Sequence, residues 1–169
     1  MTETFYLKRY DSPLGTYVIG SSSRGVICVK TESHMTSLTS RWRREGIEVK
    51  DAASHNDGVI AELDAYFAGD LHEFSVSLDL RGTEFQRKVW ELLMAIPYGQ
   101  TRSYGQIAGA LGRPKASRAV GQAIGTNPVA IIVPCHRVIG VSGGLVGYGG
   151  GLHRKQALLE LEAKHLGEH

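Results

Sequence analysis

Of the two cysteines in the chain, only Cys135 has a histidine beside it. The pair lies in Val133-Pro134-Cys135-His136-Arg137-Val138, entered from the apolar run Ala130-Ile131-Ile132. A thiol reacts as its thiolate, so a nucleophilic cysteine needs a base or a cation close by. His136 is the local base and Arg137 the local cation. In an extended segment, neighbouring side chains point to opposite faces. The proton must then pass through a turn after Pro134 that folds the pair together, or through a bridging water. A histidine in such a relay also needs an acceptor to orient it. No Asp or Glu occurs between Glu91 and Glu160, which leaves Glu160 and Glu162 as the nearest carboxylates in sequence. An isolated Cys-His dipeptide is ordinarily a packing cysteine beside a surface histidine. Cys28 fits that plain description: it sits in the apolar run GVICVK and reads as a small buried hydrophobe. His34 lacks the further ligands a metal site requires.

The surroundings of Cys135 argue for reactivity. The chain carries a net charge of +2, unevenly distributed. Residues 1–80 hold 8 Lys+Arg against 12 Asp+Glu, and residues 81–169 hold 11 against 5. The acid-free stretch bears Arg102, Arg113, Lys115, Arg118, Arg137, Arg154 and Lys155. Spaced cations without carboxylates are the electrostatic footprint of a polyanion site. Within this stretch, Ser103 caps a short helix with Tyr104, Ile107, Ala108 and Leu111 on one face. A second helix runs from about Lys115 to Gly125 with Ala116, Val120, Ala123 and Ile124 inward. The GRP break between them makes a helix-turn-helix pattern. The outer face of the second helix presents Arg118, Gln122 and Gly125 at i, i+4 and i+7. Its many Ala and Gly residues make it slim, although each interior glycine costs on the order of 1 kcal/mol. A slim helix can approach another surface closely, and the narrow minor groove of DNA is such a surface.

The elements that must position these residues fall into two parts. Residues 1–80 read as a small α/β unit, with strands in FYLKRY, TYVIG and GVICVK and helices in HMTSLTSRWRREG and GVIAELDAYFAG. Composition shifts near residue 80, where we place a domain boundary, with the second domain spanning 81–169. A helix opens at about Thr83, with Phe85, Val89, Leu92 and Ile96 as its apolar stripe, and stops at Pro97 and Gly99. Beyond Cys135, residues 140–151 form a glycine-rich loop with one aromatic, Tyr148. It lacks a P-loop and a complete G-x-G-x-x-G, which argues against a nucleotide cradle. A last helix starts at about His153 and carries Leu158, Leu159, Leu161 and Glu162. At 169 residues, 42% apolar and 21% charged, the composition is that of an ordinary globular protein. No membrane span or secretory signal is visible, and two distant cysteines fit a reducing cytoplasm.

Taken in order, GTEFQRKVW, IPYGQTRSYGQIA, RAVGQAIGTNP, VPCHRVIG and GLVGYGGGLHRKQALLELE resemble the methylated-DNA–protein-cysteine methyltransferases, the O6-alkylguanine-DNA alkyltransferases. The match is clear from about residue 82 to 165 and weaker before it. The resemblance implies an α+β protein: a ribonuclease-H-like α/β N-terminal domain and a mostly helical, winged helix-turn-helix C-terminal domain. It implies that Cys135 accepts the alkyl group from O6 of guanine in double-stranded DNA, once and irreversibly. His136 then deprotonates Cys135 through a water, and Glu162 orients His136. Asn127 structures the adjoining turn, and Tyr104 crowds the rotated phosphate and assists the leaving guanine. Arg118 fills the base stack after the nucleotide flips out, in a DNA-facing set with Ala119, Gln122, Ser103 and Tyr104. Tyr148 and the backbone of Gly149 close over the base, and the carbonyls of Cys135 and Val138 read its exocyclic amine. No cofactor or metal is implied. O4-alkylthymine is a related substrate, and the implied state is a monomer in solution with cooperative assembly on DNA. The expected location is the cytoplasm, on the nucleoid when bound.

The sequence also departs from the pattern. Gly149 stands where some relatives carry serine, Ala130 where some carry proline, and the N-terminal zinc ligands of some relatives are missing. Two other functions compete. A damage-binding relative would lack the acceptor cysteine that is present here, and a helix-turn-helix thiol sensor would have no use for the glycine loop and Tyr148.

Overall fold

The computed structural model describes residues 2–52, 54–144 and 147–167. The chain divides into two compact units, Met1–Leu80 and Arg81–His169.

The first unit is built on a four-stranded sheet of order β3-β2-β1-β4. Strands β1 (Thr4–Ser12) and β2 (Gly15–Ser21) form an antiparallel hairpin, with Ser12 paired to Gly15 across a two-residue turn. Ser12 Oγ accepts the Leu14 N–H at 3.0 Å and donates to the Gly15 carbonyl at 2.7 Å, which holds the turn shut. β3 (Val26–Thr31) adds antiparallel to β2. The chain returns through α1 (Met35–Arg44) to β4 (Glu48–Asp51), which runs parallel to β1. Sequence patterning passes over β4, because Glu48, Lys50 and Asp51 leave Val49 as its sole apolar member. Helix α2 (Asp57–Phe67) completes the unit. Its core brings Phe5, Leu7, Val18, Ile27 and Cys28 against Met35 and Trp42 of α1. Gly20 makes room for Cys28, since a Cβ there would lie 2.7 Å from the sulfur. Burial pushes the Cys28 thiol up to about 12, so it stays protonated and unreactive.

The second unit opens with α3 (Glu84–Met94). Thr83 caps it through a reciprocal capping box with Gln86. The expected apolar stripe is rotated: Val89, Trp90, Leu93 and Ile96 are fully buried, while Phe85 and Leu92 are only partly so. The Trp90 indole drives this, donating to the Ala123 carbonyl at 2.8 Å. After a turn at Pro97–Gln100, β5 (Arg102–Ser103) leads into α4 (Tyr104–Ala110), capped by Ser103 and Gln106 in the same reciprocal way. α5 (Ser117–Gly125) follows, starting two residues later than the sequence pattern suggests, with Ala116 at the N-cap. β6 (Val138–Ile139) pairs parallel with β5, and α6 (Leu152–His165) ends the unit. Leu145 and Val146 of the glycine-rich loop lie outside the described residues. Among the described residues, no helix is long and apolar enough to cross a membrane.

Candidate active site

The β5–β6 pair sets Arg102 opposite Val138 and Ser103 opposite Ile139. It thereby fixes the start of the helix-turn-helix beside the segment that carries Cys135. Two tight turns shape that segment. Ile132 N–H bonds to the Ala130 carbonyl at 2.8 Å across Ile131, whose φ is +72°. A β-branched residue with positive φ is a strained choice, sustained only where its surroundings fix it. Ile131 is 1% exposed, and Asn127 supplies the clamp. Its Nδ2 donates to the Val133 carbonyl at 2.9 Å, and its Oδ1 accepts the Val129 N–H at 3.0 Å. Next, Cys135 N–H bonds to the Val133 carbonyl at 2.8 Å across Pro134, an inverse γ-turn at φ −81° and ψ 64°.

Cys135, His136 and Arg137 then form a single 3-10 turn, closed by the Arg137 N–H on the Pro134 carbonyl at 3.0 Å. This corrects the extended geometry considered from the sequence: Pro134 and the turn replace the strand-like alternation. Cys135 is 8% exposed and His136 is completely buried. His136 Nε2 lies 2.6 Å from Glu162 Oε2. The His136 Nδ1 is buried and makes no hydrogen bond within the protein. Glu162 comes from α6 and is itself fully buried. Of the two carboxylates left open by the sequence, Glu162 meets the histidine, whereas Glu160 accepts from Gln156 on an exposed face. Burial alone would raise the Glu162 carboxyl. The hydrogen bonds of His136 and Arg137, with the Arg137 charge, outweigh it and hold the group far below the usual carboxylate range. Burial pushes the His136 imidazole down, against the opposing pull of Glu162. The arrangement is a neutral histidine, hydrogen-bonded to an ionised carboxylate, in the same turn as a thiol.

Two residues that pattern reading missed complete the site. Lys155 of α6 is fully buried, with Nζ 3.4 Å from the Gly147 carbonyl. Burial lowers its pKa, while the proximity of the Cys135 sulfur raises it. Nothing in GLHRKQALL distinguishes this lysine from a solvated one at a helix start. Gly99 reads in sequence only as a stop signal. Its φ is +76°, a Cβ would lie 2.6 Å from Leu166, and its N–H donates to Glu162 Oε1 at 3.1 Å.

The remaining sequence-derived positions are distributed around this centre. Tyr104 packs its ring near Gly121 of α5, and its hydroxyl lies 4.0 Å from where a Cβ on Gly147 would stand. Burial and then the charge of Cys135 raise its pKa, which keeps the phenol protonated. Arg118, Ala119 and Gln122 are exposed on α5, as is Gly125. A methyl on Gly121 would make ordinary contact at 3.8 Å, and one on Gly125 would meet nothing. Interior packing therefore does not require the slimness of this helix. The Ser103 hydroxyl is engaged in capping α4. Val138 is buried, and its N–H donates to the Cys135 carbonyl. Tyr148 is half-buried and Gly149 exposed. Among the described residues, no group of three or more His, Cys, Asp or Glu side chains is placed to hold a metal.

A helix-turn-helix with a slim exposed helix, joined to a thiol and a buried His-Glu pair, defines a DNA-binding protein equipped for cysteine chemistry. Two family models match the chain: the 6-O-methylguanine DNA methyltransferase ribonuclease-like domain over residues 5–80 and the DNA-binding domain of the same proteins over residues 84–164. The chain belongs to the 6-O-methylguanine DNA methyltransferase family. It is 53% identical over 155 residues to the methylated-DNA–protein-cysteine methyltransferase of Mycolicibacterium paratuberculosis, covering 92% of this chain and 90% of that one. Against the Mycobacterium leprae protein of the same name, identity is 51% over 160 residues, covering 95% and 93%. Among solved structures, Mycobacterium tuberculosis OGT in complex with DNA superimposes with a TM-score of 0.82 at 48% identity, covering 96% of this chain and 94% of that one. The expected α+β architecture, a ribonuclease-like domain followed by a helical DNA-binding domain, agrees with these matches.

Proposed function

We propose that this protein repairs double-stranded DNA by direct damage reversal, moving the alkyl group of O6-alkylguanine onto Cys135 in a single irreversible turnover. The observation that carries this reading is the turn Cys135–Arg137, which sets a slightly exposed thiol next to a buried histidine hydrogen-bonded to Glu162. With the His136 proton on Nε2, its Nδ1 is the free base, and it takes the thiol proton through a water. The thiolate attacks the alkyl carbon. The S–C bond forms as the C–O6 bond breaks, and guanine leaves with the electron pair. The protonated Tyr104 phenol is suited to hydrogen-bond the departing base. A thioether is a poor leaving group, so Cys135 is not regenerated.

A base inside a duplex cannot reach this thiol and must be flipped out, at a cost of a few kcal/mol. Arg118, exposed on the slim helix α5, fills the resulting gap in the stack in this reading. Tyr148 and the Gly149 backbone close over the flipped base, and the carbonyls of Cys135 and Val138 accept from its exocyclic amine. The Cys135 carbonyl accepts the Val138 N–H, and a carbonyl oxygen can accept two hydrogen bonds. O4-alkylthymine presents the same alkyl–oxygen bond and is a second substrate of this chemistry. We place the protein in the cytoplasm, as a monomer that assembles along DNA.

Incubation with duplex DNA containing O6-methylguanine, followed by mass analysis of the tryptic peptide holding Cys135, tests the reading. One methylene (about 14 Da), saturating at one group per chain, is expected. Retained lesion binding with unchanged peptide mass would identify a damage-binding protein instead.

A further inference from the structure

Among the described residues, His136, Arg137 and Gly99 all donate to Glu162. Arg137 Nη2 and His136 Nε2 reach Oε2 at 3.0 and 2.6 Å, and Arg137 Nε and the Gly99 N–H reach Oε1 at 2.8 and 3.1 Å. Each carboxylate oxygen thereby accepts two hydrogen bonds. The Arg137 side chain is 7% exposed, and its remaining nitrogen, Nη1, donates to the Ile96 carbonyl at 2.7 Å. Its guanidinium carbon lies 5.7 Å from the centre of the Tyr98 ring. The loop after α3 thus supports both the arginine and the carboxylate it holds.

A buried carboxylate whose sole charged partner is histidine favours the imidazolium, because an opposite charge at hydrogen-bond distance stabilises the charged form. An imidazolium has no lone pair with which to take a thiol proton. Arginine does not deprotonate in proteins, so it is a permanent counter-charge for Glu162. Among the described residues, the other charged or titratable groups around His136 are Lys155, from α6, and Cys135, in its own turn. Lys155 and Arg137 both oppose protonation of the imidazole, in the same direction as burial.

We propose that Arg137 is the positioning residue of the proton relay: by gripping both oxygens of Glu162 it holds His136 in the tautomer with hydrogen on Nε2, leaving Nδ1 as the base that takes the Cys135 proton through a water. This deepens the alkyl-transfer reading and rests on it for the use made of that base.

The test is an NMR titration of the free protein with labelled imidazole nitrogens, comparing wild type with Arg137→Gln and Arg137→Lys. In the wild type, His136 titrates below the ordinary imidazole value, and its neutral form has a proton-bearing Nε2 and a pyridine-like Nδ1. In Arg137→Gln, its titration midpoint rises by about one unit or more. Arg137→Lys keeps a cation but loses the fork; it restores part of the shift and leaves the two tautomers exchanging. A wild-type midpoint and tautomer in Arg137→Gln would overturn the proposal. Should that variant fail to give a cooperative melt, wild-type behaviour in Arg137→Lys overturns it equally. The measurement needs no DNA, so its failure is separate from failure of the repair reading, which is read from the mass of Cys135.

Discussion

Glu162 and His136 are 26 residues apart in sequence, yet their side chains meet at 2.6 Å with both fully buried. The contact fixes which imidazole nitrogen is left for chemistry. Glu162→Gln keeps the shape but removes the charge that Arg137 and His136 share. Single-turnover alkyl transfer is expected to slow by about 10- to 100-fold, with lesion binding largely retained. The variant also leaves a buried arginine without its counter-ion, so thermal stability falls. An unchanged transfer rate removes Glu162 from the relay.

The two thiols should differ sharply in reactivity. Cys28 is 1% exposed and its thiol is held protonated by burial, up to about 12. Iodoacetamide at neutral pH should modify Cys135 and leave Cys28 untouched until the protein unfolds, as peptide mapping will show. Equal labelling of both in the native state contradicts this assignment.

Acid should weaken the fold in two stages. The folded state depresses the affinity of His136 for its proton, by burial above all, so unfolding takes up a proton as pH falls below the ordinary histidine value of about 6.5. Stability from this group is present above that value and lost below it. Glu162 is depressed in the same sense, and its contribution starts to fall away below about pH 4.3, the ordinary glutamate value. Urea midpoints measured from about pH 7.5 down to 5 should therefore decline, and His136→Gln should flatten that decline. A slope equal in the variant and the wild type would exclude His136 as its source.

Asn127 ties the segment before Cys135 to the end of α5. Asn127→Ala leaves the buried Val129 N–H without a partner and frees the strained turn at Ile131. A loss of about 1–3 kcal/mol is expected from urea denaturation, together with slower transfer. If stability falls while the transfer rate of the folded protein holds, Asn127 supports the fold and not the thiol.

Arg118 is exposed on α5 and takes no part in the buried site. Arg118→Ala should lower the rate on duplex DNA by more than the rate on a free O6-alkylated guanine, since the duplex alone requires base flipping. Equal losses on the two substrates would place its effect elsewhere.

Several of these features were legible before the structure. Thr83 and Ser103, each followed three residues later by glutamine, mark helix starts because the capping box is a local hydrogen-bond pattern. The outward placement of Arg118 and Gln122 follows from helical periodicity alone. The inward stripe of α3 is turned a fraction of a turn from the one its periodicity predicts, because the bond between Trp90 and the Ala123 carbonyl is a tertiary contact. β4 carries no strand pattern in its sequence; its pairing with β1 outweighs its polar residues.

The amino-acid order by itself set Cys135 beside His136, since their adjacency is covalent, and it made Glu160 and Glu162 of the last helix the nearest carboxylates in sequence by leaving acids out of residues 92–159. Only the tertiary structure set Glu162, and not Glu160, 2.6 Å from His136, closed the Cys-His segment into a 3-10 turn, buried Lys155, and brought Arg137 and the Gly99 N–H onto one carboxylate. Those outcomes depend on how α6 and the loop after α3 pack against the turn. Burial and charge pairing between distant segments leave no periodic or local trace in the chain that folds them.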